Sequence, residues 1–306
     1  MSQPNYQKMK EFEAYLKSRG LTNKTIVGWM RVFENYEEWL DKENITATEV
    51  RYNDLLLYMK HQQGKGITQS TVRNYMGVIK SFYEYLLREE RIEHNPASDI
   101  LVKGIRGKKL YHILEPHELQ KLYNELPTDT TKRRRNKVML GLFINQGIKT
   151  EEIGKLEVRD VDLREGKIRI PGGKKSNSRE LQLESHQVMD MYDYVLNGRN
   201  EILQMNPKRK YQKKQETDRL FIGDGGNDTG TSNMITQLMI QIRKQNPTVL
   251  NAKQIRASVL TKWLKMYNLR EVQYMAGHRY ISSTESYQEN EMEGLKEEVQ
   301  QFHPLG

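Results

Sequence analysis

Cysteine is absent from the 306 residues. No disulfide can form and no thiolate can hold zinc, which fits a reducing compartment. Long apolar runs are missing too: none reaches the ~18 residues of a membrane-crossing helix. The N-terminal stretch MSQPNYQKMKEFEAYL is too polar for a secretory signal. Carboxylates are not clustered at the spacing that holds two metal ions, and neither a metal site nor a cofactor is expected. The expectation is a soluble, cytoplasmic protein without a membrane partner.

What is present is an excess of positive charge. Lys and Arg number 49 against 40 Asp and Glu, a formal charge of +9. The isoelectric point is about 9.3, which makes polyanions candidate partners through steering and counterion release. The length suffices for two domains with substantial cores.

The first hundred residues contain a duplication. The stretch TNKTIVGWMRVFENYEEWL from Thr22 aligns with TQSTVRNYMGVIKSFYEYL from Thr68. Thr25 matches Thr71, Ile26 matches Val72, and Trp29 matches Tyr75. Phe33 pairs with Ile79, Tyr36 with Phe82, Trp39 with Tyr85 and Leu40 with Leu86. Each unit opens on a threonine suited to cap a helix and continues with apolar residues at three- and four-residue steps. With shorter helices at 6–18 and 53–62, this predicts a small all-helical domain. Lys17, Arg19, Lys24, Arg31, Lys65, Arg73 and Lys80 punctuate it. Each alone reads as part of a solvated face; as a set they suit a phosphate backbone.

HNPASDILVKGIRGKKL (94–110) carries Pro, two Gly and four cations with little periodicity, the composition of a linker. Beyond it, helices are predicted at 115–126, 232–245 and 252–267. VMLGLFINQ (138–146) is apolar on every side, as in a central core helix, closed by Gly147. Thr150 is expected to cap a short helix, EEIGKL. KIRIPGGKKSNSRELQL (167–183) alternates around a Gly- and Ser-rich turn, a β-hairpin with a cationic tip. PKRKYQKKQETD (207–218) reads as a surface loop.

The helix from Ala252 is expected to put Ile255, Val259, Trp263 and Met266 on one face. Lys253 and Arg256, three apart, are expected to point the same way near its N-terminus, either holding an anion or spreading into water. In GHRYISSTESY (277–287) a histidine follows a glycine and a tyrosine follows a Ser/Thr/Glu cluster. With 17 tyrosines in the chain, Tyr287 alone reads as packing.

Taken in order, these pieces resemble the tyrosine recombinase (phage integrase) family over nearly the whole chain. The family's usual order is Arg, Lys, His-x-x-Arg, His and Tyr. GHRYISSTESY resembles its Gly-His box and nucleophile, which marks Gly277, His278 and Tyr287. NQGIKTEEIGKL resembles the Gly-Leu-Arg-x-x-Glu box, which marks Gly147, Lys149 and Glu152. GGKKSNSREL resembles the hairpin lysine segment, with Lys174 in the catalytic place and Lys175 as the alternative; QIR supplies Arg256. There are two departures. Lysine replaces the family's first arginine at 149, keeping charge but losing the planar fork that grips two phosphate oxygens. Lysine also replaces the first histidine, at 253, and Ala257 follows the second arginine.

The resemblance implies a mainly α fold with a small β-sheet, closing on duplex DNA as a C-shaped clamp. A SAM-like core-binding domain would span 1–93, a basic linker 94–112, and a mixed α/β catalytic domain 113–306. That last domain would end in a protomer-docking helix at about 292–303. Lys24, Arg31, Arg73, Lys80, Lys103, Arg106, Lys108 and Lys175 become the expected DNA contacts. The implied activity is site-specific recombination through a 3′-phosphotyrosyl intermediate, by a tetramer on two DNA sites. Lys149, Arg256, His278 and Lys253 would stabilise the transition state, and Lys174, on a mobile hairpin tip, would protonate the leaving oxygen. The architecture expected is the simpler, Xer-like one rather than that of phage lambda. A DNA-binding protein of the same fold that has lost cleavage, and a type IB topoisomerase-like activity, are the alternatives.

Overall fold

The computed structural model describes residues 3–103, 111–174, 176–204, 217–223 and 231–288. The chain divides into two compact units, Met1–Lys109 and Leu110–Gly306, each with its own core. Among the described residues no helix is long and apolar enough to cross a membrane.

The first unit is four helices: α1 (Gln3–Ser18), α2 (Asn23–Glu43), α3 (Tyr52–Gly64) and α4 (Gln69–Arg88). The duplicated threonines are its caps. Thr22 Oγ1 accepts from the Thr25 amide at 3.4 Å and Thr68 Oγ1 from the Thr71 amide at 3.3 Å. A cap of this kind stabilises a helix by about 1 kcal/mol. The paired residues from Ile26/Val72 to Leu40/Leu86 are buried, apart from Trp29 and Tyr75, which sit half-buried at the edge of each apolar stripe. Phe12 of α1 packs on Phe33 and Phe82 with ring centroids 4.9 and 5.3 Å away, joining both repeats.

Lys24, Arg31, Lys65, Arg73 and Lys103 are exposed. Lys80, another expected DNA contact, has a partner within the unit. Its ammonium donates to the Ser98 carbonyl at 2.9 Å, and Asn95 Nδ2 donates to the Lys80 carbonyl at 3.1 Å, so Lys80 fastens the segment that follows α4. Lys17 pairs with Glu13, and Arg19 with Ser81 and Glu84, also within the unit. Arg106, Lys108, Lys175, the loop at 207–216 and the expected C-terminal helix lie outside the described residues.

The second unit is built on two buried helices, α6 and α11. It begins with α5 (Pro116–Glu125), α6 (Thr131–Asn145) and α7 (Thr150–Ile153). Val138 to Ile144 of α6 are all buried. Three antiparallel strands follow in the order β1 (Val161–Asp162), β2 (Lys167–Ile170), β3 (Arg179–Gln182). Ile168 pairs with Leu181 and Ile170 with Arg179. β1 was not foreseen, because two residues show no alternation. Next come α8 (Ser185–Asp193), a π-helical turn at Tyr194–Gly198 and α9 (Arg199–Gln204), none of them read from sequence. α10 (Thr231–Gln245), α11 (Ala252–Met266), α12 (Leu269–Ala276) and α13 (Ser282–Glu285) are its last elements among the described residues. α11 is buried on all sides from Gln254 to Thr261. Met266 does not share its face, being 60% exposed in a last turn that runs past the core.

Candidate active site

The site starts from the end of α6. Gly147 has φ of +52°, and a Cβ there would stand 3.1 Å from Leu260 Cδ1 and 3.3 Å from Val259 Cγ1. Only glycine meets both demands. The sharp exit aims its carbonyl at α11, where Arg256 Nη1 donates to it. Lys149 then caps α7 through its main chain, with its amide on Glu152 Oε2 at 2.8 Å. Thr150, the expected cap, is the first helical residue.

Glu152 is gripped by Arg179 of β3 through two bonds of 2.9 Å, with side-chain exposures of 5% and 0%. Burial alone would raise the Glu152 carboxyl; the Arg179 fork and the Lys149 amide outweigh it and hold the group below its usual range. Arg179 was missed as a site residue, although its signal was available. Leu181 and Leu183 face inward, and period-two alternation carries the same face back to 179.

Arg256, 5% exposed, is the hub. Beyond Gly147, its Nη2 donates to the Ala276 carbonyl at 2.7 Å and lies 3.1 Å from His278 Nε2. The Tyr287 phenol lies near enough to interact with the Arg256 charge. His278 is buried, with Nδ1 2.9 Å from Thr284 Oγ1 and its ring stacked on Tyr287, centroids 5.8 Å apart and planes at 14°. Burial, then the nearby Arg256, Lys149 and Arg179 charges, push the imidazole down to about 3. It is therefore neutral at pH 7. Lys149 is half-buried, and burial and Arg256 draw its ammonium below the usual lysine range.

The lysines predicted to join this cluster behave differently. Arg256 turns inward while Lys253 is exposed, without a side-chain bond among the described residues. Three residues leave two helix positions about 60° apart, and the edge of the core falls between them. Lys174 is also exposed, at the hairpin tip. Around that tip, Ser176 bridges to His278, the Asn177 amide donates to the Gly277 carbonyl at 3.1 Å, and Arg279 donates to the Lys174 carbonyl at 3.1 Å.

Two expected results follow from this geometry. Gly277 has φ of +64°, and a Cβ there would collide with the Arg179 guanidinium and come within 3.1 Å of the Asn177 carbonyl. Gly277→Ala is expected to cost about 2 kcal/mol or more. The melting temperature of the unit should fall by roughly 4–8 °C; an unchanged melting curve would show the backbone adapting freely. The second concerns pH. His278 has a folded value of about 3 against an ordinary 6.5, so the unfolded chain binds the extra proton between them. Its contribution is complete above about pH 6.5 and declines as the pH falls toward 3. Denaturant midpoints measured from pH 4 to 7 should drop less steeply on acidification in His278→Gln than in the wild type. Parallel curves would contradict this.

The phage integrase family matches residues 112–293, and the phage integrase N-terminal SAM-like domain matches residues 9–90. The chain belongs to the phage integrase family, and it is a tyrosine recombinase. It is 30% identical to tyrosine recombinase XerC of Natranaerobius thermophilus over 72% of this chain and 71% of that one. With tyrosine recombinase XerD of Halalkalibacterium halodurans it shares 26% identity over 94% and 93% of the two chains. Its fold is also that of XerH site-specific recombinase bound to palindromic difH substrate, with TM-score 0.68, 19% identity and coverage of 89% and 78%. The Tn1549 transposon integrase in complex with transposon right end DNA gives TM-score 0.67 at 16% identity over 94% and 99%.

Proposed function

We propose that this chain is a site-specific DNA recombinase that cuts and rejoins duplex DNA through a covalent bond to Tyr287. The observation that carries the reading is the convergence of Tyr287 and His278 on the Arg256 guanidinium. A free phenol has a pKa near ~10 and attacks poorly at neutral pH, so it needs a cationic surround. In the reaction the Tyr287 hydroxyl loses its proton to water and its oxygen bonds to phosphorus as the bond to the 5′-oxygen breaks, leaving a 3′-phosphotyrosyl link and a free 5′-hydroxyl. Arg256 and Lys149 oppose the charge that gathers on the non-bridging oxygens, with His278 supporting Arg256 and Lys253 at the margin. Lys174 supplies the proton for the leaving oxygen. Reversal by another strand's hydroxyl restores the backbone, and the phosphotyrosyl link conserves the bond energy, so ATP is not consumed.

In this reading residues 1–93 and 113–306 each bind the duplex, joined by the basic segment 94–112. Lys24, Arg31, Arg73 and Lys103 meet phosphates. The working assembly is a tetramer on two sites in the cytoplasm, with the C-terminal segment docking in trans. Movement of a mobile genetic element fits the activity.

The test is covalent trapping. Nicked suicide duplexes drawn from DNA flanking the gene are incubated with the protein without added metal, then run on denaturing gels. A protein–DNA adduct is expected. Specific binding without an adduct would mean a protein that holds sites it does not cut. The same assay reads Lys149→Arg. A planar fork in place of a point charge should speed adduct formation by roughly tenfold, the scale of one charge-assisted hydrogen bond. An equal or slower rate would show that the site is shaped around lysine.

A further inference from the structure

His278 is held at three points. One ring face lies on Tyr287, Nε2 meets Arg256 Nη2 at 3.1 Å, and Nδ1 meets Thr284 Oγ1 at 2.9 Å. The roles at the two nitrogens follow from the partners. A guanidinium has donors only, so Nε2 facing Arg256 presents its lone pair. The imidazole is neutral in this setting and carries a single N–H, which must then sit on Nδ1. That N–H points at the Thr284 hydroxyl, which is fully buried.

We propose that Thr284 is a positioning residue of the cleavage site: its hydroxyl oxygen accepts the Nδ1 proton of His278 and fixes the tautomer that offers Nε2 as an acceptor to Arg256. The proposal rests on the recombinase reading of the site. Threonine suits the task for a reason visible in the chain path. Thr284 lies in α13, the short helix between His278 and Tyr287, and its amide bonds the Ile281 carbonyl at 2.7 Å while the Tyr287 amide bonds the Thr284 carbonyl at 3.0 Å. The residue that sets the imidazole is thus one turn from the nucleophile. Without the hydroxyl, the Nδ1–H would be buried without a partner, and the ring would gain by turning over or moving its proton to Nε2. Either change puts an N–H against the N–H of Arg256 and loosens the hub that holds Tyr287.

The experiment uses the full chain as wild type, Thr284→Val and Thr284→Ser. Histidine-labelled protein is read by nitrogen NMR at pH 7 for the proton position on His278, and single-turnover cleavage of the suicide duplex is timed beside DNA binding. The expected result is an Nδ1–H tautomer in wild type and Thr284→Ser, and a mixed or Nε2–H ring in Thr284→Val. Cleavage by Thr284→Val should slow by about tenfold, the rate equivalent of one neutral hydrogen bond, with binding unchanged and serine restoring the rate. A wild-type Nε2–H tautomer overturns the proposal. So does an Nδ1–H ring retained in Thr284→Val, or full-speed cleavage by that variant. The NMR arm needs no turnover, so a wild-type protein that fails to cut would count against the recombinase reading while leaving the tautomer result to stand or fall alone. If Thr284→Val does not fold, Thr284→Ala, which also lacks the hydroxyl, is read in the same two ways with the same overturning results.

Discussion

Tyr287→Phe is expected to abolish the covalent DNA adduct while leaving DNA binding within about twofold of wild type. The phenyl ring keeps the stack on His278, and the hydroxyl is all that is lost. Removing the nucleophile of a covalent enzyme costs on the order of 10⁴-fold or more in rate, because the remaining groups stabilise a transition state that no longer forms. The hydroxyl lies near Arg256, yet Arg256 keeps the Gly147 and Ala276 carbonyls and His278 Nε2, so the hub should persist. Gel shifts on the flanking duplex and denaturing gels on the suicide duplex separate the two effects. An adduct surviving in Tyr287→Phe would move the nucleophile elsewhere among the chain's tyrosines and remove the basis of the mechanism.

The largest loss of stability is expected from Arg179→Ala. Arg179 and Glu152 are almost completely out of water, joined by two parallel bonds. Removing one partner of such a pair leaves a buried charge unopposed, at a cost of about 3–5 kcal/mol. The carboxylate left behind then takes up a proton or draws in water. The double variant Arg179→Ala/Glu152→Gln should therefore be more stable than Arg179→Ala alone, and Arg179→Lys should fall between them and wild type. The pH sense is fixed by Glu152. Its folded value lies below the ordinary 4.5, so the stabilisation is complete above that pH and is lost as the pH falls below it. Urea titrations at pH 7 and pH 4 measure both effects. A loss under about 1 kcal/mol in Arg179→Ala would mean that the pair is hydrated in solution.

Local features were the most legible part of the fold. Thr22 and Thr68 announce their helices because capping is settled within three residues, and the two apolar stripes follow because a helix repeats on a short period. The all-apolar run from Val138 announced a buried helix for the same reason. Where alternation had no length to develop, as in β1, the sequence carried no signal. α12 had one that went unread: Asn268 and Glu271 form a capping box just before the Gly277 turn.

In the site, the resemblance to the recombinase motifs pointed to Arg256, His278 and Tyr287, and the structure brings those three together. Their supports are another matter. Arg179 reaches Glu152 from 27 residues away and Arg256 reaches Gly147 from 109. No local pattern encodes such pairings. The same holds for Lys80, whose bond to the Ser98 carbonyl spans 18 residues.

The hairpin tip has a last consequence, for the order of folding. Its links to Gly277 and His278 join segments about a hundred residues apart, so they form only after a long loop has closed. The helices of the first unit close shorter loops, as where Phe12 meets Phe33 and Phe82, and can condense sooner. A refolding chain should accordingly regain helix content well before the hairpin is seated. Competence to cut then marks the end of folding, and the rate at which it returns measures the slowest long-range closure in the molecule.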